Sequence, residues 1–490
     1  MRAKSSKIIY GLRFIKKMPS LINQSVPKTL LNLAVPMLAG TFALNSYNIT
    51  ATWFVSRLGT NPLAAMSCTL PVVMLLGFSL MALGTGTMTV VAHALGGKKY
   101  DKAARVTSHS ILLMLLVSFV LALAGLFTLN PVFRALGATG EVLKLACDYM
   151  VIWYISMPVL CLENMFVDII TCTGNTKISS MLMVISVVIN LTISPFLIFG
   201  WGPFPFMGIK GAALATGIAE SFVLVISSRI LYKKNHLINA NVMSRRRIFI
   251  SWRRILNMGL PAVYSSILTP VSTGIITKII SAYGAVALAA MGVIGRIEMF
   301  SFMIPMSVGM SLTPFVAQNY GALRLDRIRI AQKLTMSFAL IYGLVICVFL
   351  FFFAENIAGL FSKDPELIAI MVMGMRIVCF AAGFLETFRY CTFFMNGVQK
   401  PLFSALLSTI RIVFLLVPLA VLFSSFWGLK GVFYSRFVTD VLASSIGAAL
   451  VFKVLKRLEK KEAHLPPDLL SRHPTLEQRS RDYPGLSHTN

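Results

Sequence analysis

Acidic residues are scarce in this chain. It carries 18 Asp and Glu against 45 Lys and Arg, and charged residues make up only 13% of its 490 positions. Soluble domains carry roughly 25% charge. With 57% hydrophobic residues and a mean hydropathy of +0.78, the composition excludes a soluble globular protein and implies a polytopic membrane protein. Cysteine is also sparse. Cys68, Cys147, Cys161, Cys172, Cys347, Cys379 and Cys391 are scattered through apolar runs with no Cys-x-x-Cys, which excludes a disulfide framework or a thiolate metal site and leaves packing. Of six histidines only His93 and His109 fall in or near apolar runs, at their ends. They read as wetted interfacial groups, with pH sensing as the alternative. There is no Walker-type glycine loop, so ATP bound to this chain does not power it. No His/Asp cluster suggests a membrane-embedded enzyme, and no cofactor is expected. No Ala-x-Ala pattern follows the first apolar run, so a removable signal peptide is not expected.

What the chain has is long apolar runs separated by basic loops. A span needs about 20 apolar residues. Runs of that kind lie near 30–55, 62–93, 107–129, 148–173, 179–200 and 211–232, and then near 255–282, 286–318, 333–354, 367–395, 402–425 and 430–452. The expected fold is an all-α membrane protein of twelve transmembrane helices in two pseudo-symmetric six-helix lobes. The corresponding division is a basic N-terminal segment (1–28), an N-terminal lobe (29–232), a basic linker (233–254), a C-terminal lobe (255–455) and a disordered tail (456–490). Apolar residues among the lysines of 1–28, and Trp252, Ile255 and Leu256 beside Arg253 and Arg254, suggest two interfacial helices.

The net charge of +27 does not point to nucleic acid, because the basic residues sit between the apolar runs. One side would receive the N-terminus, Lys98, Lys99, Lys102, Lys177, Lys233 to Arg254, Arg324 to Lys333, Lys400 and the C-terminus. The other would receive little beyond Arg57, Arg134, Lys144, Lys210, Lys363 and Lys430. The positive-inside rule then makes both termini cytoplasmic, in the plasma membrane.

The two halves repeat. Gly59-Thr60-Asn61-Pro62-Leu63-Ala64-Ala65-Met66 returns 225 residues later as Gly284-Ala285-Val286-Ala287-Leu288-Ala289-Ala290-Met291. The same interval carries Pro36 onto Pro261, Gly84 onto Gly309, Gly96 onto Gly321 and Asp101 onto Asp326. Gly208-Ile209-Lys210-Gly211 and Gly428-Leu429-Lys430-Gly431 form a further pair. Six spans per half is an even number, so both halves run in the same direction. They are related by an axis along the membrane normal, with a pathway between them.

Leu33-Ala34-Val35-Pro36, Leu58-Gly59 followed by Leu63-Ala64-Ala65, Gly211-Ala212-Ala213-Leu214-Ala215-Thr216, Gly295-Arg296-Ile297-Glu298 and Gln318-Asn319-Tyr320-Gly321-Ala322 together resemble the multidrug and toxic compound extrusion (MATE) family. The resemblance covers about residues 28–455 and is nearest to the bacterial DNA-damage-inducible branch. It implies two lobes opening alternately to each side, and export of organic cations in exchange for protons or sodium ions, by a monomer in the lipid bilayer. Similar members carry an Asp in the first helix, in an Asn-x-x-Asp-Thr pattern, and another in the fifth before a Pro. Here those stretches read Asn48-Ile49-Thr50-Ala51-Thr52 and Asn190-Leu191-Thr192-Ile193-Ser194-Pro195. Both carboxylates are absent, while Asn48, Tyr149 and Asn190, which resemble other polar members of that site, remain beside Ser194. The seventh-helix Glu of other branches is absent from 261–282 as well.

Another carboxylate must therefore do the coupling. Each ionisable group in a span costs on the order of 2.5–3.5 kcal/mol on insertion scales. Asp168 and Glu298 are the first candidates, with Glu163 and Glu386 behind them. Glu163 lacks the Arg that Glu386 has three residues on, at Arg389. Asp148 reads as helix-start polarity, Asp440 as a partner of Arg436 four residues earlier, and Glu220 as a bond to a neighbouring helix or a site residue. Arg389 is expected to be tied to Glu386 or another acidic neighbour. A flippase for anionic lipid-linked precursors is the alternative function, favoured by Lys278, Arg296, Arg376, Arg389, Arg411 and Arg436. Met299, Met303, Met306 and Met310 read as packing, or as an adaptable wall for apolar cations.

Overall fold

A computed structural model of the chain describes residues 21–239 and 245–463. The interfacial helix expected within 1–28 and most of the tail expected at 456–490 lie outside the described residues. In the N-terminal half the long helices are α1 (Val26–Ser56), α2 (Thr60–Gly96), α3 (Tyr100–Phe127), α4 (Gly140–Cys172), α5 (Thr176–Phe199) and α6 (Ile209–Lys234). In the C-terminal half come α7 (Arg245–Ser281), α8 (Ala285–Ser301 and Met303–Gly321, bent by 54°), α9 (Leu325–Phe361) and α10 (Pro365–Gly397). The apolar stretch that follows, Pro401–Glu462, is 62 residues long, too long for one crossing. Gly428, at φ 58° and ψ −139°, breaks it into α11 (401–427) and α12 (429–463). Twelve spans result among the described residues, six per half.

Several helices run past the apolar windows. α3 and α4 begin seven to eight residues early, and α12 continues to Ala463, because Lys, Arg, Glu and Ala propagate a helix into water. The interfacial helix expected around Trp252, Ile255 and Leu256 is instead part of the first turns of α7. They pack on the N-terminal lobe, with Trp252 Nε1 donating to the His109 carbonyl at 2.9 Å and Ser251 Oγ 2.9 Å from His109 Nδ1.

The repeat is visible in backbone conformation. Gly59 and Gly284 precede α2 and α8 at φ 116° and 98°, which an L side chain rarely adopts. Gly208 before α6 matches Gly428 before α12. The outer faces suit lipid: Leu340, Ile341, Leu344, Val345 and Val348 recur along α9 at helical spacing, all exposed.

α1 and α7 cross between lobes. Val26, Leu30 and Leu33 of α1 lie in the C-terminal core with Phe315, Val316 and Phe394, and Ile255 and Met258 of α7 lie in the N-terminal core with Leu83 and Val90. Further along, Ile276 and Ile280 of α7 join Ala420 and Val432. Pro36 and Pro261 follow the crossings. A proline offers no N–H, so the carbonyl four residues earlier loses its helical donor. For Pro36 that carbonyl belongs to Asn32, and Thr176 Oγ1 supplies the bond at 3.2 Å. Thr176→Val should lower stability by about 1 kcal/mol, read as a drop in the unfolding midpoint of the detergent-solubilised protein. An unchanged midpoint would mean that the Asn32 carbonyl is satisfied without Thr176.

The lobes touch at the end that carries the basic loops. There the Gly86 backbone abuts Gly259, Gly96 abuts the Gln318 carbonyl, and Gly321 abuts the His93 carbonyl. Gln318 Nε2 donates to the Cys172 carbonyl at 2.5 Å, and buried Arg327 donates to the Leu21 and Gln24 carbonyls at 3.2 and 2.6 Å. Away from that end, Ala285–Ser301 and Pro365–Val378 pack on C-terminal helices, and α5 and α6 pack on N-terminal ones. The two halves of the repeat therefore form a V closed at its basic end.

Candidate functional site

The N-terminal lobe gathers a polar cluster from four helices. Ser186, Asn190 and Ser194 recur every four residues on α5, and Thr216 and Glu220 do so on α6, so each set shares a helix face. Ser194 Oγ donates to Asn190 Oδ1 at 2.9 Å, Asn190 Nδ2 donates to Thr216 Oγ1 at 3.1 Å, and Thr216 Oγ1 lies 2.9 Å from the Tyr47 hydroxyl of α1. Tyr149 of α4 lies beside Tyr47. Asn48 is on α1 next to Tyr47, its side chain outside the described residues. One turn from Thr216, Glu220 Oε1 accepts from Ser186 Oγ at 3.0 Å, and its carboxyl faces that of Glu163 on α4. Asp168, further along α4, points its Oδ2 towards Gly84 of α2. None of Glu163, Asp168 and Glu220 forms an ion pair with a Lys, Arg or His among the described residues.

The C-terminal lobe is different. Its buried carboxylates Glu298, Glu386 and Asp440 are each matched to an arginine. Arg389 Nη1 donates to Glu386 Oε1 at 2.7 Å, Arg411 reaches Asp440 Oδ1 at 2.8 Å, and Arg436 Nη2 reaches both oxygens of Glu298 at 2.9 Å. Arg389 and Arg411 also stack over Phe302 and Phe388, at 5.2 and 5.3 Å. The expected tie of Arg389 to Glu386 is present. Asp440, expected to pair with Arg436 on its own helix, pairs across to α11 instead. Arg411 lies in a π-helical stretch, Ile410–Leu416, and its side chain crosses to α12, while Arg436 crosses to α8. Asp148, expected at a helix start, lies two turns into α4 because the helix begins at Gly140, and it pairs with Lys210 at 3.2 Å.

The eight candidate residues thus divide. Glu163, Asp168, Asn48, Tyr149, Asn190 and Ser194 are in the N-terminal lobe, most of them in or beside one cluster. Glu298 and Glu386 are in the C-terminal lobe, each held by an arginine. Sequence reasoning left Glu220 open and did not single out Tyr47, Ser186 or Thr216. The available signal was the four-residue spacing from Thr216 to Glu220, matched by Ser186, Asn190 and Ser194.

Comparison with known proteins places this arrangement. The MatE family profile matches residues 36–196 and again 261–422, beginning both times at the prolines that follow the helix crossings. The chain is 31% identical over 430 residues to a protein of Shewanella oneidensis named FAD transporter, covering 87% of this chain and 95% of the relative. It is 25% identical over 453 residues to the multidrug export protein MepA of Staphylococcus haemolyticus, covering 90% and 96%. Its fold matches the MATE transporter VcmN of Vibrio cholerae in the bent form with a TM-score of 0.83 at 26% identity, covering 88% of this chain and 98% of that one. These relatives are transporters rather than enzymes. A duplicated twelve-helix chain, closed at one end and matched twice by one profile, belongs to the MatE family of multidrug transporters.

Proposed function

We propose that this protein exports organic cations across the plasma membrane by alternating access, in exchange for ions moving inward. The observation that carries the reading is the distribution of charge. Arg389, Arg411 and Arg436 of the C-terminal lobe are each neutralised by a carboxylate, whereas Glu163, Asp168 and Glu220 in the other lobe have no basic partner among the described residues. The polar cluster of the N-terminal lobe then carries acid that no basic group neutralises, and burial weakens the screening that would otherwise mask it. By the positive-inside rule the basic end is cytoplasmic, so the V described here opens outward with both termini inside.

A second reading follows from Lys278 and Arg296. Both are exposed on α7 and α8 and have no carboxylate partner among the described residues. They suit an anionic substrate, and the Shewanella oneidensis relative is named for one. Proteoliposomes containing the protein separate the readings. Movement of tetraphenylphosphonium driven by a proton or sodium gradient supports the first. Movement of FAD that falls in the Lys278→Gln and Arg296→Gln double variant, with no movement of the cation, replaces it with the second.

A further inference from the structure

The positions at which family resemblance leads one to expect coupling aspartates hold Ala51 and Ser194. Elsewhere in the same lobe, Glu163 and Glu220 face each other across α4 and α6. Glu163 is only 6% exposed, and no hydroxyl, amide or basic group donates to it among the described contacts. The group it meets is the Glu220 carboxyl. On Glu220, Ser186 serves Oε1, whereas Oε2 is buried with no partner. The charged and titratable groups facing the pair are Asp168 from α4 itself and the Tyr47 phenol of α1 beside Glu220. α5 offers the Ser186 hydroxyl, and among the described residues no charged group of α2, α3 or α5 faces the pair. Two carboxyls in contact in such surroundings cannot both be ionised, because like charges at that distance in a low dielectric repel strongly. A hydrogen bond between them also needs one proton.

We propose that Glu163 and Glu220 are the proton-exchange site of this transporter, relocated from the positions now held by Ala51 and Ser194. With one proton between them the pair carries a single negative charge, and that charge favours an organic cation in the adjoining cleft. A second proton, entering from the open side through Glu220, which keeps some exposure, binds the unserved Oε2. It removes the last negative charge and releases the cation. After the V reopens to the other side the same proton leaves to water, restoring the charge that recruits the next cation. One proton entering per monovalent cation leaving makes the exchange electroneutral. In a full titration the two protons come off in steps that belong to the pair rather than to either residue, and the transport cycle uses only the first of those steps. This rests on the cation-export reading, but the pair itself can be tested without transport.

Infrared difference spectra of the purified protein, taken across a pH titration, should contain a protonated-carboxyl band that titrates. The band should be lost in the Glu163→Gln, Glu220→Gln double variant and kept in the Glu355→Gln control, whose carboxylate pairs with Arg376 on an exposed surface. In proteoliposomes, Glu163→Gln and Glu220→Gln should each lose tetraphenylphosphonium movement driven by a pH gradient, while wild type moves it without generating a membrane potential. A titrating band that survives in the double variant overturns the proposal, as does pH-driven transport that survives in both single variants. Transport in wild type that only a sodium gradient drives also overturns it. Should wild type move no organic cation while the band behaves as expected, the cation-export reading fails and the shared-proton pair stands. Retained gel-filtration and circular-dichroism profiles distinguish a lost site from a lost fold.

Discussion

Gly96→Val should depress transport strongly while leaving each lobe folded. Gly96 ends α2 against the Gln318 carbonyl, and Gly321, its repeat equivalent, ends α8 against the His93 carbonyl. A Cβ at either place would overlap backbone of the opposite lobe, and backbone cannot swing aside as a flexible side chain can. These contacts lie between lobes rather than within one, so the penalty falls on the arrangement closed at the basic end and spares the arrangement parted there. Overpacking costs about 1–3 kcal/mol, and a bias of that size shifts a two-state equilibrium about 5- to 150-fold. Gly321→Val should act in the same way, and the double variant should show little extra effect because both block one closure. Spin-label distances across the basic end should lengthen, and substrate flux should fall towards leak. Normal flux with unchanged distances would show that the basic-end contact is not part of the working cycle.

That seam was partly legible in the sequence. Gly96 and Gly321 stood out as repeat partners, because a duplicated glycine records a place where backbones meet. What they meet could not be read, since the contact joins residues more than two hundred positions apart. The same limit explains the charges. Arg389 and Glu386 are three apart on one helix, so their pairing followed from spacing alone. Arg411 with Asp440 and Arg436 with Glu298 pair between helices, and local spacing pointed Asp440 to the wrong arginine. The polar cluster shows both sides. The four-residue rhythm of Ser186, Asn190 and Ser194 was there to be seen, but only packing of α4 against α6 reveals that Glu163 and Glu220 share one place. Span number and repeat emerged from hydropathy because the bilayer fixes length. Helix ends did not, because the extra turns lie in water, where helix propensity rather than hydropathy decides.

Removing the two partners of the Glu298–Arg436 pair should have unequal effects. Both side chains are 16% exposed, and Arg436 Nη1 is buried with no acceptor even in the intact protein. Breaking a buried pair by deleting one partner costs about 3–5 kcal/mol, because a charge is left without compensation. A carboxylate left alone escapes part of that cost by taking up a proton, whereas a guanidinium stays charged at any working pH. Glu298→Gln should therefore lower the unfolding midpoint of the detergent-solubilised protein by more than Arg436→Met. The nearby Asp440 relieves Arg436 only in part, since Arg411 already holds it. The Glu298→Gln, Arg436→Met double variant should recover most of the loss, because no isolated charge remains. The gap between the single variants should narrow at high pH, where the lone Glu298 of Arg436→Met can no longer be neutralised. This also separates two roles for Glu298. As one half of a structural pair, it gives a stability loss that the second substitution rescues, with coupling restored alongside. If Glu298→Gln instead keeps its midpoint and loses ion-driven flux without rescue by Arg436→Met, then Glu298 is the coupling residue and the arginine is only its modulator.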